Sequence, residues 1–338
     1  MNSVLLSLLA LPLAQEPAPP APAPKLRWHT DVEASRALAR ETGRHLVVSF
    51  DGRGWCGFCE RLHAEVLDAP GFGADVADDF VFVSLDFDAR MRPRAEEDAL
   101  AEQHGSLREA LEVENFPELV LMTPDGVPYA RFAYESIDAE AYEDKLEAAR
   151  AEAVFLEREV PRIERALVAA RSKEAADATA DEATALLRRA GEHALARPLV
   201  PLVQARLAAD GLPVAAEKAA VAALSAAAVV DDALVDRAFR LDPANAEGLP
   251  EAALAGAFRG LEKARRVRPL LERAERLLGL GPPFDKQVAA QLYGDCAFWA
   301  ESWLDDPERA AVLARFALSL EPESPGLRSM LEALSSGR

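Results

Sequence analysis

The chain has 338 residues, of which 50% are hydrophobic, so it is long enough for two folded domains and too apolar to be disordered throughout. Its formal net charge of −19 leaves no basic surface to neutralise phosphates, which argues against a nucleic-acid partner. The same charge disfavours binding of the mature chain to an anionic membrane surface.

The first residues have the pattern of an export signal. Val4–Leu13 is an apolar run of ten residues, which suits a signal-peptide core and is too short to span a bilayer. We predict a signal peptide over residues 1–14 and export to the periplasm or another extracytoplasmic space. Because no Lys or Arg precedes the run, an uncleaved terminal anchor or a mis-assigned start are the alternatives. Residues 15–24 contain PAPPAPAP, which predicts an extended Pro/Ala-rich linker.

Residues 25–150 alternate between helical and strand patterns. Asp31–Thr42 is amphipathic, with an acidic residue at its start and Gly43 as its stop, and this predicts a helix. His45–Phe50 is a continuous apolar run, which suits a central strand buried on both faces. Asp51-Gly52-Arg53-Gly54 follows it and is predicted to be a turn. The further predicted elements are helices at Glu60–Leu67 and Ala95–Leu111, strands at Phe80–Phe87, Leu119–Thr123 and Val127–Tyr134, and a helix that begins near Asp138.

The order of these elements predicts the fold class. Strand–helix alternation implies a parallel part of the sheet, and Pro124-Asp125-Gly126 is a turn that would join the last two strands into a hairpin. The prediction is an α/β domain with a mixed central sheet flanked by helices.

A pair of cysteines, Cys56 and Cys59, follows the first long strand and opens a helical pattern. A dithiol at this spacing can close into a disulfide and reopen, and the start of a helix favours the reactive thiolate of the leading cysteine. We therefore predict that Cys56 is the nucleophile and that Cys59, one turn later, is the resolving thiol. The third cysteine, Cys296, lies among apolar residues and is predicted to be an inert core cysteine.

The arrangement resembles the thioredoxin-like family over about residues 25–150. The motifs that carry the resemblance are Trp28, Phe50-Asp51-Gly52, Trp55-Cys56-Gly57-Phe58-Cys59, Phe116-Pro117 and Pro124-Asp125-Gly126. The resemblance implies a thioredoxin fold and thiol–disulfide exchange with protein substrates through a mixed disulfide. It also implies that Pro117 is cis beside the cysteine pair. Trp55 and the backbone of Phe116 would then contact an extended substrate segment.

Several positions depart from the family pattern. Ser49 and Ser84 stand where thioredoxin has a buried Asp and a Lys that help to move protons, so water or a nearby acid such as Glu60 would have to serve. Phe58 replaces a Pro between the cysteines, which would change the reduction potential. Glu118 replaces the usual Thr after the cis-proline, and its charge is expected to raise the pKa of the nucleophilic thiol.

Two other readings of the polar residues are weaker. Cys56, Cys59 and His63 could share a helix face and bind zinc, but no fourth ligand is visible nearby, so a packed histidine is favoured. Asp86 and Asp88 end a strand, and a solvated strand end is favoured over a catalytic dyad. Nucleotide-binding and phosphate-binding loops are absent from the sequence, so we predict no cofactor and no metal.

Residues 151–338 have few aromatic residues and a helical spacing of apolar positions, which predicts an all-helical domain. Two stretches in it match each other, Ala238–Asn245 and Ala317–Ser324, and each places an acid and a Pro after a helix. This is similar to the junction between tetratricopeptide units, although a generic helical solenoid or bundle is the alternative. The boundary between the two domains is expected inside a long helix near Glu147–Glu157.

The leading hypothesis is an exported thiol–disulfide oxidoreductase that needs a redox partner, with the direction of electron flow left open. Its helical domain would dock partner proteins or pack on the catalytic half. The alternative is a non-catalytic interaction protein that uses a thioredoxin fold as a scaffold.

Overall fold

A computed structural model describes residues 26–73, 75–95, 98–261 and 266–336. The predicted signal peptide, residues 1–14, and the predicted linker, residues 15–24, lie outside these ranges. Within the described ranges, no helix combines the length and the apolar character needed to cross a bilayer.

A mixed five-stranded sheet forms the centre of the first domain. Its strands are β1 (Trp28–His29), β2 (His45–Asp51), β3 (Phe80–Asp86), β4 (Glu118–Met122) and β5 (Pro128–Phe132). Their order is β1-β3-β2-β4-β5. β1, β3 and β2 run parallel, β4 is antiparallel to β2, and β5 is antiparallel to β4. The predicted α/β fold with a mixed sheet is confirmed, and β1 is an additional strand that was not predicted.

The helices of this domain are α1 (Val32–Thr42), α2 (Gly57–Leu62), α3 (Asp98–Ala110) and α4 (Ala139–Ala169). The Asp31 carboxylate accepts the backbone N–H of Ala34 at the start of α1, and Gly43 ends the helix with a φ of 69°. The single helix predicted over Glu60–Leu67 is wrong in detail. α2 begins at Gly57 and is followed by a π-helical turn, His63–Leu67.

The alternation of side chains along β2 decides what lies under α2. Leu46, Val48 and Phe50 belong to the core on one face of the sheet, which α1 and α3 cover. Val47 belongs to the core on the other face, with residues of α2 and α4. Since side chains alternate along a strand, Ser49 and Asp51 point to the same face as Val47. Two polar side chains are therefore buried beneath the cysteine-bearing helix.

The rest of the chain is helical, as predicted. Its helices are α5 (Lys173–Ala190), α6 (Leu199–Ala208), α7 (Val214–Ala226), α8 (Asp232–Leu241), α9 (Leu249–Arg259), α10 (Val267–Leu278), α11 (Lys286–Leu304), α12 (Pro307–Ser319) and α13 (Pro325–Ser335). α7 packs between α5 and α9, and α9 packs in turn on α11, so every second helix forms a continuous stack. The tetratricopeptide assignment itself stays a prediction.

The two matching stretches of the helical region form different junctions. Asp242 is buried after α8, and its carboxylate accepts the backbone N–H groups of Ala246, Glu247 and Leu249, which orders the start of α9. The equivalent acid after α12, Glu321, is exposed and adopts a left-handed φ of 58°. The sequence similarity therefore reflects helix ends that are built in different ways.

The two parts of the chain share a helix and a polar contact. α4 runs without interruption through residue 150, where the domain boundary was predicted. The buried ring of His45 lies 3.0 Å from the Tyr129 hydroxyl through Nδ1 and 3.2 Å from the Glu157 carboxylate through Nε2. The Tyr129 ring also stacks on His193 of the helical region. Burial lowers the pKa of His45 to about 4.

Candidate active site

The cysteine pair occupies the start of α2. Cys56 is the N-cap residue of this helix, its Sγ accepts the backbone N–H of Cys59 at 3.1 Å, and the two cysteines form a disulfide with Cα atoms 5.2 Å apart. Cys56 is 8% exposed, whereas Cys59 is completely buried. Of the two cysteines, only Cys56 therefore has any contact with solvent.

Trp55 is held beside the pair by the backbone of the neighbouring loop. Its indole Nε1 donates to the Phe87 carbonyl oxygen at 2.8 Å, and 40% of the residue remains exposed. The ring lies flat over Gly52, where a Cβ atom would be 2.5 Å from the ring carbons. The residue at position 52 must therefore be Gly for the ring to keep this place.

The proline loop meets the cysteines from the opposite side. The Phe116–Pro117 peptide bond is cis, as the family resemblance implied. The carbonyl oxygen of Phe116 lies 3.5 Å from Cys56 Sγ, and the Phe116 ring packs against Trp55 and Phe87. The fold thus brings together all five residues that the sequence singled out: Trp55, Cys56, Cys59, Phe116 and Pro117.

A second aromatic pair borders the site and was not predicted. Phe58, between the cysteines, is 60% exposed and stacks on Tyr134 with ring centroids 5.8 Å apart. The Tyr134 hydroxyl donates to Glu65 at 2.6 Å, and the Arg61 guanidinium lies over the Tyr134 ring. From the sequence, Tyr134 was predicted only as the end of a strand. No sequence pattern indicates that its ring packs against α2.

A buried carboxylate at the end of β2 corrects a prediction. Asp51 is not a turn residue but the fully buried end of β2, and its carboxylate accepts the Ser49 hydroxyl at 2.7 Å. His63 Nε2 is 3.3 Å from the same carboxylate. Burial lowers the pKa of His63, but the hydrogen bond and the charge of Asp51 outweigh burial, so the pKa is raised overall.

Glu60, the acid suggested from sequence for proton transfer, instead binds the backbone of the preceding loop. Its exposed carboxylate accepts the Gly54 N–H at 2.8 Å, and this bond lowers its pKa. Glu118 is also engaged elsewhere, since Arg131 binds its carboxylate at 2.5 Å. This cation offsets the negative charge that was expected to raise the pKa of the nucleophilic thiol.

The residues considered as a zinc ligand (His63) or as a catalytic dyad (Asp86 and Asp88) make contacts within the domain. The His63 ring nitrogens face two carboxylates, and the part of the chain that the structure describes holds no group of three or more His, Cys, Asp or Glu side chains arranged as metal ligands. Asp86 accepts the Arg53 N–H, and Asp88 accepts from Arg92, whose hydrogen bonds lower the pKa of Asp88 to about 2. Both carboxylates therefore order the loop beside Trp55.

Cys296 is fully buried in α11, as expected. Burial raises the pKa of its thiol well above the ordinary value. It is therefore an unreactive core cysteine.

Comparisons with known proteins agree with this geometry. A family model described as "Thioredoxin-like domain" matches residues 32–150. The "Thioredoxin-related protein DsbJ" of Chlamydia pneumoniae is 28% identical over 121 residues, which are 36% of this chain and 34% of the relative. The "Disulfide bond reductase DsbH" of the same organism is 25% identical over 130 residues, 38% of this chain and 76% of the relative.

The matched segment thus spans only about a third of the DsbJ relative. Among solved structures, a "DsbH Oxidoreductase" is 21% identical with a TM-score of 0.37, over 40% of this chain and 92% of that one. The family model and the sheet topology together identify the first domain. Residues 32–150 form a thioredoxin-like domain, and a largely helical region follows it.

Proposed function

We propose that this protein is a thiol–disulfide oxidoreductase that works through Cys56 and Cys59. The observation that carries the proposal is the difference in burial between the two cysteines: Cys56, at a helix N-cap, keeps 8% of its surface exposed, and Cys59 is completely buried. A nucleophile must reach the substrate, and a resolving thiol must reach only the nucleophile, so this arrangement fits the two roles. The relatives support this class of chemistry at the family level.

In the reductive direction, the Cys56 thiolate attacks a substrate disulfide. A Cys56–substrate bond forms, and the first substrate sulfur leaves as a thiolate. Cys59 then attacks Cys56 Sγ, which forms the Cys56–Cys59 disulfide seen here and releases the second substrate sulfur. The name of the DsbH relative, a disulfide bond reductase, favours this direction. A redox partner must return the pair to the dithiol.

The substrate would lie between Trp55 and the proline loop. The Phe116 carbonyl faces Cys56 Sγ at 3.5 Å, so an extended peptide that pairs with the Phe116 backbone would place its own sulfur beside Cys56. The exposed rings of Trp55 and Phe58 provide apolar contact on either side. These contacts use backbone and ring surfaces, which suits protein substrates of varied sequence.

The test is to trap the mixed disulfide. In a Cys59→Ser variant, the complex between Cys56 and a disulfide-bonded model protein should persist, because no thiol can resolve it. Cys56→Ser should form no complex. Cys296→Ala serves as the matched control and should turn over as the natural protein does. A Cys59→Ser variant that forms no mixed disulfide would refute the proposal and favour the non-catalytic scaffold.

Export and partner docking complete the proposal. Export rests on the apolar run Val4–Leu13, and sequencing the mature N-terminus from the native host would reveal cleavage near residue 14. Retention of Met1 would contradict export.

The helical region would hold protein partners near Cys56. Chemical cross-linking of the trapped complexes should then map partner contacts to residues 151–336, and cross-links confined to 32–150 would contradict docking there.

A further inference from the structure

An aromatic surface near the end of α11 is left open by the rest of the described chain. It consists of Phe298, Trp299 and Trp303, and we call it the aromatic face. The ring centroids of Phe298 and Trp299 are 5.9 Å apart. Those of Trp299 and Trp303 are 5.6 Å apart, with an angle of 31° between the ring planes. Phe298 is 44% exposed and Trp303 is 56% exposed, so two of the chain's four tryptophans lie in one patch outside the redox site.

The two tryptophans of the aromatic face differ in their surroundings. Trp299 is partly buried and packs against the core of the helical region. Trp303, one turn later in α11, has more than half of its surface in solvent. Contiguous apolar patches on soluble proteins often mark binding sites, and tryptophan is among the residues that most often dominate binding energy. The aromatic face therefore has the composition of a binding surface.

Neighbouring indole rings suit one class of ligand, a proline-rich peptide. Such peptides adopt the polyproline-II helix, which has no internal hydrogen bonds. Because this conformation is already formed before binding, little conformational freedom is lost in the complex, and proline-rich segments dock on surfaces lined by aromatic rings. The apolar proline rings would pack against the faces of Trp299 and Trp303.

The chain itself contains a segment of this chemistry. Residues 17–24 read PAPPAPAP, in which prolines recur at the Pro-x-x-Pro spacing of polyproline-II ligands. The described structure begins at Leu26, so the segment closely precedes β1 in the sequence. The aromatic face and a segment that fits it therefore occur in one chain.

The charges near the segment and near the aromatic face are complementary. Residues 17–27 carry two cations, Lys25 and Arg27, and no acid. Glu301, Asp305 and Glu308 are exposed close to Trp303 in the sequence. Copies of a chain with a net charge of −19 repel one another overall, and a local attraction of this kind favours one orientation of contact.

The attachment point of the segment favours contact between copies. β1 and β5 are the opposite edges of the sheet, and the helical region contacts β5. α11 is the fourth helix of the stack that runs from α5 through α7 and α9. Four strand spacings and three helix spacings amount to about 45 Å. Residues 17–26 span at most about 35 Å when fully extended, which is less than this path.

We propose that the aromatic face binds the proline-rich segment, residues 17–24, of a second copy of this chain. The contact joins two different surfaces, so each copy gives one contact and receives another. Repetition of this contact produces a ring or an open row of copies rather than a two-fold dimer. The inference concerns assembly and does not rest on the proposed redox function.

Sedimentation velocity of the purified full chain over a range of concentrations tests the proposal. The natural chain should associate as its concentration rises. Association should weaken about thirtyfold or more in Trp303→Ala, as for loss of a dominant tryptophan, and equally when the five prolines of residues 17–24 are replaced by Ser. Phe284→Ala removes another exposed aromatic ring, just before α11, and is the matched control that should associate normally. Since Trp303 is mostly exposed, its replacement does not endanger folding.

A mixture of the two impaired variants gives a sharper test. Trp303→Ala keeps the segment and the proline variant keeps the aromatic face, so the mixture should form heterodimers and nothing larger. Both variants retain the apolar run Val4–Leu13, which therefore cannot account for a difference from the natural chain.

Three results would overturn the proposal. The natural chain could stay monomeric up to about 1 mM, the proline variant could associate as the natural chain does, or the mixture could form no heterodimer. Binding within one copy would also contradict it, and would appear as a tryptophan emission that depends on the prolines in a chain that stays monomeric.

Discussion

Replacement of Gly52 by Ala tests how the active site holds its tryptophan. The new Cβ would lie 2.5 Å from the Trp55 ring carbons, so the ring would have to move, and its hydrogen bond to the Phe87 carbonyl would be lost. Overpacking of this kind costs about 1–3 kcal/mol. Loss of the hydrogen bond adds about 1 kcal/mol. We expect the free energy of unfolding of the thioredoxin-like domain to fall by about 2–4 kcal/mol.

Gly57 provides the matched control. A Cβ at this position, at the start of α2, has no heavy atom within 4 Å, and neither Gly52 nor Gly57 has a positive φ. Gly57→Ala should therefore change stability by about 0.5 kcal/mol or less.

Hydrogen exchange of the β2 amides, followed by mass spectrometry, reports the opening of this domain without interference from the helical region. Because 1.4 kcal/mol corresponds to a factor of ten, exchange should be about 30- to 700-fold faster in Gly52→Ala and almost unchanged in Gly57→Ala. If exchange in Gly52→Ala is as slow as in the unmodified protein, or if both variants are accelerated equally, close packing of Trp55 on Gly52 does not stabilise the domain.

Three further predictions concern the helical region and the contact between the two parts of the chain. Gly256→Ala would drive its Cβ into a backbone carbonyl of α7 and should lower the free energy of unfolding by about 1–3 kcal/mol in urea denaturation. Gly294→Ala, whose Cβ would meet only the end of the Leu327 side chain, is the control and should be nearly neutral. The pKa of His45 lies below that of an unfolded histidine, so the unfolded state binds more protons between about pH 4 and 6.5 and stability should fall on acidification, by up to about 3 kcal/mol. His45→Gln should flatten this decline in urea midpoints, although the raised pKa of Glu157 acts in the opposite direction in both proteins; an equally steep decline in the variant would contradict the assignment. Cys296 should react with a thiol reagent only after denaturation, and three fast thiols in the reduced native protein would contradict its burial.

Elements with a strong local signal were predictable from the sequence. The ends of the capped helix α1 and of the apolar strand β2 were predicted to within a residue. Their capping residues and apolar pattern depend only on residues that are close in sequence. β1 was missed because two residues are too few to show alternation. The π-helical turn at His63 was missed because no sequence pattern distinguishes it from an α-helix.

The cysteines, Trp55 and the Phe116–Pro117 pair were found because the family motif includes them. Asp51 was misread for a physical reason: an Asp followed by Gly is a strong turn signal, and its burial depends on a partner twelve residues away. The period-two alternation through Val47 and Ser49 would have placed it under α2. The ion pair between Glu118 and Arg131 depends on the register of the hairpin, which the sequence does not fix.

The reduction potential of the Cys56–Cys59 pair decides whether the pair is a working dithiol. Titration of the protein with glutathione or dithiothreitol buffers, with mass spectrometric mapping of the pair, would measure it. We predict a single two-electron couple between about −120 and −270 mV, the range of working dithiols. A pair that stays oxidised below about −300 mV would be a structural disulfide, and a pair that never forms a disulfide would have no redox role. Either result would exclude thiol–disulfide exchange by this pair.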